Sequence, residues 1–235
     1  MKIAIFGSSG TIGAAITRRY RHHYPECEIH TFSRQQDQSN RLHHTIDYTD
    51  ELSIKTAAEI SFQNIPFDII FVATGLLHEG ADLQPEKSLR DLSIEKFQRI
   101  FAANSVFPAL VAKHYLPLLP RDRRGVFAAL SARVGSISDN QLGGWYAYRA
   151  SKAALNMILK NAAIEAARRY KLSVVVGLHP GTVDSSLSKP FQGNVREGKL
   201  FGPEYAADHL IRVIDNLTPD QSGKCFAWDG SEIPA

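Results

Sequence analysis

The sequence predicts one doubly wound α/β domain, a mainly parallel sheet covered by helices on both faces. Three observations predict it. Apolar runs of strand length alternate almost throughout with stretches of helical period. Runs such as FDIIFVAT and LSVVVGL are apolar at consecutive positions, as expected for parallel strands buried on both faces. No repeat, low-complexity tract or Pro/Gly/Ser-rich linker divides the 235 residues, so 1–235 reads as a single domain with right-handed crossovers.

The elements follow in order. Lys2–Phe6 is a short apolar strand that runs straight into a glycine-rich turn, and Thr11–His23 then takes up a helical period. Glu28–Ser33 and Phe67–Thr74 are the next strands, the latter apolar at nearly every position. Ile94–Leu116 has the length and period of a long helix. Val126–Leu130 returns to the sheet, Ala147–Tyr170 is a second long helix, and Ser173–Leu178 is again apolar throughout its centre. Pro203–Leu217 reads as a helix and Lys224–Trp228 as the last strand.

Composition narrows the class. Apolar residues make up 44% and charged residues 22%, which is ordinary globular usage and neither disordered nor fibrous. The formal net charge of +3 is compatible with an anionic ligand and does not call for nucleic acid. Cys27 and Cys225 form neither a disulfide framework nor a metal set and fit a reducing cytosol. The first apolar run ends in glycine after six residues, too short for a signal peptide or a membrane span, and no later run approaches spanning length. A cytoplasmic protein without membrane or nucleic-acid partners is expected. The adjacent pairs His22/His23 and His43/His44 lack the one-turn spacing that shared metal ligation on a helix favours.

The turn after the first strand is Gly7-Ser8-Ser9-Gly10-Thr11-Ile12-Gly13. Glycines there allow a tight turn, let the backbone approach a pyrophosphate and bring helix against sheet, while the helix N-terminus supplies N–H donors. This predicts a dinucleotide loop contributed by Gly7, Ser9, Gly10, Thr11, Ile12 and Gly13. The second strand ends in Ser33 and Arg34, where an NAD-binding fold usually places a carboxylate. A guanidinium can bind a ribose 2′-phosphate and a serine can donate to it, so NADP(H) is favoured over NAD(H).

Tyr148 and Lys152 lie four apart on a helix, on one face and one turn apart, whereas Tyr146 precedes them on the connecting loop. A nearby ammonium favours the phenolate and lowers a tyrosine from its usual value of about 10, which suits a proton donor to a reduced carbonyl.

With YRASK, GSSGTIG, Asn104 in AANSVFP, and Pro180-Gly181-Thr182-Val183 in family order, the sequence resembles the short-chain dehydrogenase/reductase family over nearly its whole length. SARVGSISDN, GGWYAYRASKAALN, LHPGTVDSSLSKPFQ and FAWDGSEIP look like its C-factor-like or sniffer-like carbonyl reductase branch. The resemblance implies a Rossmann fold of about seven parallel strands and hydride transfer between a nicotinamide and a carbonyl or alcohol. It implies Tyr148 as acid/base, Lys152 on the nicotinamide ribose, and Asn104 holding a water that links the lysine to solvent.

The resemblance also marks softer positions. Asp47 meets adenine, with Tyr48 beside it, and Ala73, Thr74 and Gly75 stand where the family commonly reads N-N-A-G. Thr182 and Val183 follow the proline that frames the nicotinamide, the Val183 amide contacting its carboxamide. The family's substrate-polarising serine falls at Ala132, so Ser131 or Ser136 is expected to be recruited, Ser131 lying nearer the motif. Asp184–Gly198 has the position of a substrate lid, and Trp145 and Phe191 are candidate pocket residues. Homodimers or homotetramers are the family habit.

Two other readings compete. A dinucleotide-binding sensor or signalling protein that turns nothing over is favoured by Ala132 and by the lost N-N-A-G side chains. A sugar-nucleotide epimerase gains from the G-x-x-G-x-x-G spacing and loses on the little chain left for a C-terminal substrate domain.

Overall fold

The computed structural model describes residues 1–235, the side chain of Asn194 excepted. In chain order the elements are β1 (Lys2–Phe6), α1 (Thr11–His23), β2 (Glu28–Ser33), β3 (His43–Thr45), α2 (Glu51–Phe62), β4 (Ile69–Val72), α3 (Ile94–Phe101) and α4 (Phe107–Tyr115). Then come β5 (Gly125–Leu130), α5 (Tyr146–Ala166), β6 (Ser173–His179), β7 (Thr182–Val183), β8 (Leu200–Phe201), α6 (Pro203–Asn216), β9 (Cys225–Ala227) and β10 (Glu232–Ile233). The main sheet runs β10-β9-β6-β5-β4-β1-β2-β3. Seven of its strands are parallel, as the sequence predicts, and β10 adds an antiparallel edge.

Alternation along the strands explains the unbroken apolar runs. Ala4 and Phe6 of β1 pack on the α4 and α5 side with Val111, Leu155 and Leu159. Ile3 and Ile5 face the other way, onto Ile16 of α1 and Leu210 of α6. A strand covered on both faces needs an apolar residue at every position. The order reverses between β1 and β4, so the crevice at their C-terminal ends is the ligand position for such a sheet.

The predicted helix over 94–116 is divided. Ala102–Val106 forms a π turn between α3 and α4, with the Phe107 N–H bonded to the Ala102 carbonyl. Pro108 is the physical reason: it has no N–H to give Asn104, and its ring would press on that carbonyl in a regular helix, so the backbone widens. α5 also begins one residue early, placing Tyr146 on the helix. Trp145 caps it in the left-handed region at φ 50°, and its N–H donates to the Glu86 carbonyl.

Candidate active site

The dinucleotide loop forms as a tight wrap. Gly7 donates to the Phe32 carbonyl at 2.8 Å, and Gly10 donates to the Gly7 carbonyl at 3.0 Å. A β-carbon on Gly13 would sit 2.2 Å from the Gly7 oxygen, so only glycine lets α1 press this closely on the loop. Gly10 caps α1 without a side-chain acceptor, and the first turn carries no carboxylate. Its N–H groups are thus left for an anion. Gly10, Thr11 and Ile12 line a cavity of about 350 Å³, while Ser9 is exposed beside it.

At the far end of β2 the predicted residues divide. Ser33 is buried, and its hydroxyl is engaged with both the Gln35 N–H and the Gln35 carbonyl. Arg34 is exposed, makes no ion pair among the described residues, and lies 5.5 Å from the Tyr48 ring centroid. Tyr48 stacks on Phe107 at 4.2 Å. The Asp47 carboxylate accepts from both the N–H and the hydroxyl of Thr49, which hold it below the usual carboxylate range. That is a turn-forming role for one carboxylate oxygen, Oδ1.

The other wall of the cavity brings Tyr148 and Lys152 together with Ala73, Thr74, Gly75 and the Pro180–Val183 segment. Glu86, sixty-one residues away in sequence, fixes the start of α5 by accepting from the Ala147 N–H at 3.2 Å. Gly181, at φ +76°, packs where a β-carbon would lie 2.5 Å from the Phe201 ring, which holds the turn after Pro180 against β8. Asn104, wholly buried in the π turn, clasps Leu76: its Oδ1 accepts from the Leu76 N–H and its Nδ2 donates to the Leu76 carbonyl, both at 2.8 Å. Nδ2 also reaches Ser151 Oγ at 3.0 Å. A β-carbon on Gly75 would lie 3.8 Å from both Asn104 Oδ1 and Lys152 Nζ, so the two polar heads converge on that glycine.

Lys152 is 2% exposed, and its ammonium donates to the Leu130 carbonyl at 2.8 Å. Burial depresses it to about 8 and pushes Tyr148 up to about 12. The expected lowering of the tyrosine by the lysine is therefore outweighed: the ammonium sits 5.8 Å from the phenol ring centroid, and removal from water dominates. Tyr148 is consequently a protonated phenol at neutral pH, the form a proton donor needs.

The lysine result carries a stability prediction. Its folded pKa of about 8 lies below the usual 10.5, so folding disfavours the proton that the unfolded chain keeps. The penalty is fully present below pH 8 and fades as pH rises from 8 toward 10.5. It is on the order of 3 kcal/mol, offset by about 1 kcal/mol for the Leu130 bond. Lys152→Met is therefore expected to melt higher than the wild type at pH 7 and to lose that lead by pH 10. Thermal denaturation across that range checks it, and a difference independent of pH contradicts it.

Neither candidate serine is hydrogen-bonded to the tyrosine, although Ser131 lines the same cavity. The Ser131 hydroxyl donates to Asn156 Oδ1 at 2.6 Å, and its β-carbon lies against the Gly177 position in the sheet. Ser136 accepts from the Asp139 N–H at 3.1 Å in the turn after β5 and is absent from the cavity wall. Ala132 instead packs with Leu77 and Tyr148, so the side chain facing the phenol is a methyl group. β5 has already ended at Leu130, so strand alternation does not govern these positions: Ser131 also lines the cavity but its hydroxyl is held by Asn156 of α5, while Ala132 packs on the phenol.

Trp145 and Phe191 do meet in the wall, edge to face at 5.0 Å, with Leu187 packed beside them. Residues 184–198 arch over the cavity from a base formed by the pairing of β7 with β8, and His78 Nε2 contacts the Ser186 carbonyl at 3.1 Å. Sequence reasoning missed Leu77, Leu187 and His179, which also line the cavity. The sole signal for His179 was its place directly before Pro180. Among the described residues no group of three or more His, Cys, Asp or Glu could hold a metal, and no helix is long and apolar enough to cross a membrane.

The family model described as short chain dehydrogenase matches residues 2–195. The 1-hydroxy-2-glutathionyl-2-methyl-3-butene dehydrogenase of Rhodococcus sp. (strain AD45) is 33% identical over 187 residues, covering 79% of this chain and 76% of that one. C-signal of Myxococcus xanthus is 35% identical over 147 residues, covering 63% and 83%. Among solved structures, the carbonyl reductase Sniffer of D. melanogaster superposes with a TM-score of 0.84 at 20% identity, over 100% of this chain and 99% of that one. The NADPH-bound carbonyl reductase from chicken fatty liver gives 0.83 at 18% identity, over 100% and 98%. The fold is shared with both.

Proposed function

Because the chain belongs to the short chain dehydrogenase family and is thus an oxidoreductase, we propose that it transfers a hydride between NADP(H) and a carbonyl or alcohol substrate, as a carbonyl reductase. The observation that carries this reading is one cavity with the glycine loop at one end and Tyr148 with Lys152 at the other. The residues fit a bound dinucleotide: the first turn of α1 is uncapped, and the buried Thr74 hydroxyl between the two ends has no hydrogen-bond partner among the described residues. Lys152 spends one N–H on Leu130 and keeps two for ribose hydroxyls. A bound nicotinamide would supply the hydride, with Tyr148 placed to give the proton to the carbonyl oxygen. Asn104 fixes the backbone beside Lys152 through Leu76.

In this reading residues 1–235 are one NADP(H)-binding domain with 184–198 as its substrate lid. It works on small molecules, without nucleic acid or membrane, as a cytoplasmic homodimer or homotetramer. Arg34, exposed and unpaired at the end of β2, is the residue for the 2′-phosphate. Arg34→Ala is expected to weaken NADPH binding about 10- to 100-fold, the scale of one charge-assisted contact, with NADH binding within about twofold. Cofactor fluorescence titration checks this, and equal losses for both cofactors contradict it.

A second reading, a dinucleotide-binding signalling protein without turnover, is favoured by the methyl group at Ala132 and by the likeness to C-signal. NADPH consumption over a panel of aldehydes and ketones separates the two. Turnover that vanishes in Tyr148→Phe supports the enzyme; tight NADPH binding with no turnover on any carbonyl supports the sensor.

A further inference from the structure

β6 ends on His179, directly before Pro180. Alternation along the strand puts Val175, Gly177 and His179 on one face. Val175 packs with Leu155 and Leu159 of α5, and the Gly177 position abuts Asn156 of the same helix. His179 therefore stands on the face of Tyr148 and Lys152, at the C-terminal edge where ligands of open α/β sheets bind. It lines the cavity, and its Nδ1 is enclosed with no hydrogen-bond partner among the described residues.

Its polar neighbours are engaged elsewhere: Ser131 with Asn156, Arg133 with Asp139, Asp229 with Ser231. Burial pushes His179 down to about 4, with the Arg133 charge acting the same way and Asp229 opposing it, so the ring is neutral at pH 7. A neutral imidazole offers one N–H donor and one acceptor nitrogen. The register Leu130↔Leu178 sets Ser131 opposite His179, one strand spacing or about 4.8 Å apart. The next residue, Ala132, packs with Tyr148. Tyr148 and His179 line the same cavity, so the unpartnered imidazole and the phenol share one chamber.

We propose that His179 is a substrate-contacting residue that holds a second oxygen function beside the reacting carbonyl, giving the site a preference for α-dicarbonyl and α-hydroxycarbonyl compounds over plain aldehydes and ketones. The inference rests on the carbonyl-reductase reading above. Leu77, Leu187 and Phe191 then receive the apolar remainder of the substrate.

The test uses matched pairs, diacetyl against butanone and phenylglyoxal against acetophenone, with wild type, His179→Leu and His179→Asn. The wild type is expected to favour the two-oxygen member of each pair about tenfold or more in kcat/KM, the scale of one well-placed hydrogen bond. His179→Leu removes that preference while leaving the one-oxygen member within about threefold, and His179→Asn restores part of it. NADPH affinity stays unchanged in both variants. Adding diacetyl to the NADP⁺ complex is also expected to shift the His179 ring nitrogens in nitrogen-15 NMR spectra. Equal losses for both members, a changed NADPH affinity, or no ring-nitrogen shift overturns the inference. Failure of the parent reading is separate: no carbonyl is reduced by any form of the protein, and the ring-nitrogen shift then still decides the contact.

Discussion

Tyr148→Phe is expected to lower kcat/KM for NADPH-dependent carbonyl reduction by about 10²- to 10⁴-fold, the range for loss of a positioned proton donor. The substitution removes one oxygen from a side chain that is 9% exposed and packed with Leu77 and Ala132. Ring packing survives, so fold and NADPH affinity should hold within about twofold. No described residue donates to the phenol oxygen, and the two free N–H groups of Lys152 are assigned to ribose hydroxyls, so the phenol is the proton donor in this reading. Because burial holds Tyr148 at about 12, wild-type reduction should show no loss from tyrosine ionisation between pH 6 and 9. Steady-state kinetics with the melting temperature measured alongside checks both statements. A folded Tyr148→Phe protein with wild-type turnover contradicts the assignment.

The parts of this site that were legible in the sequence are those written in local patterns. The strand–glycine–helix unit around Gly7–Gly13 is legible because the Gly13-to-Gly7 approach lies within the motif, although the bond from Gly7 to Phe32 is a tertiary contact. The Tyr148–Lys152 pair follows from one helical turn. Where distant contacts decide, the sequence was silent or ambiguous. Pro108 is visible as a helix breaker, but whether it ends, kinks or bulges a helix depends on packing, and here the bulge aims Asn104 at Leu76. Glu86 as the partner of the α5 N-terminus is a tertiary fact. β3 and β10 have three and two residues, too few to show a period. The tyrosine pKa was misjudged because spacing reveals the charge partner but not the burial that outweighs it. That the Ser33 hydroxyl closes its own turn onto Gln35 was likewise not visible in its place at a strand end.

Ala132→Ser is expected to raise kcat on plain ketones by about tenfold or more, toward the 10²- to 10³-fold contribution of a single donor aimed at a developing oxyanion. Position 132 faces the cavity beside Tyr148, so a hydroxyl there lies next to the oxygen that receives the tyrosine proton. The cost is a polar group in an apolar wall of Leu77, Leu187 and Phe191, which should lower stability by about 1 kcal/mol while no ligand is bound. Ser131→Ala supplies the contrast. It removes the bond to Asn156 of α5 and should cost stability of similar size, yet leave kcat within about threefold, because that hydroxyl is committed to Asn156. Running both variants over the same ketones shows which of the two adjacent positions carries the donor. A collapse of kcat in Ser131→Ala, with Ala132→Ser unchanged, would mean that the Ser131 hydroxyl leaves Asn156 when substrate binds and serves the reacting oxygen itself.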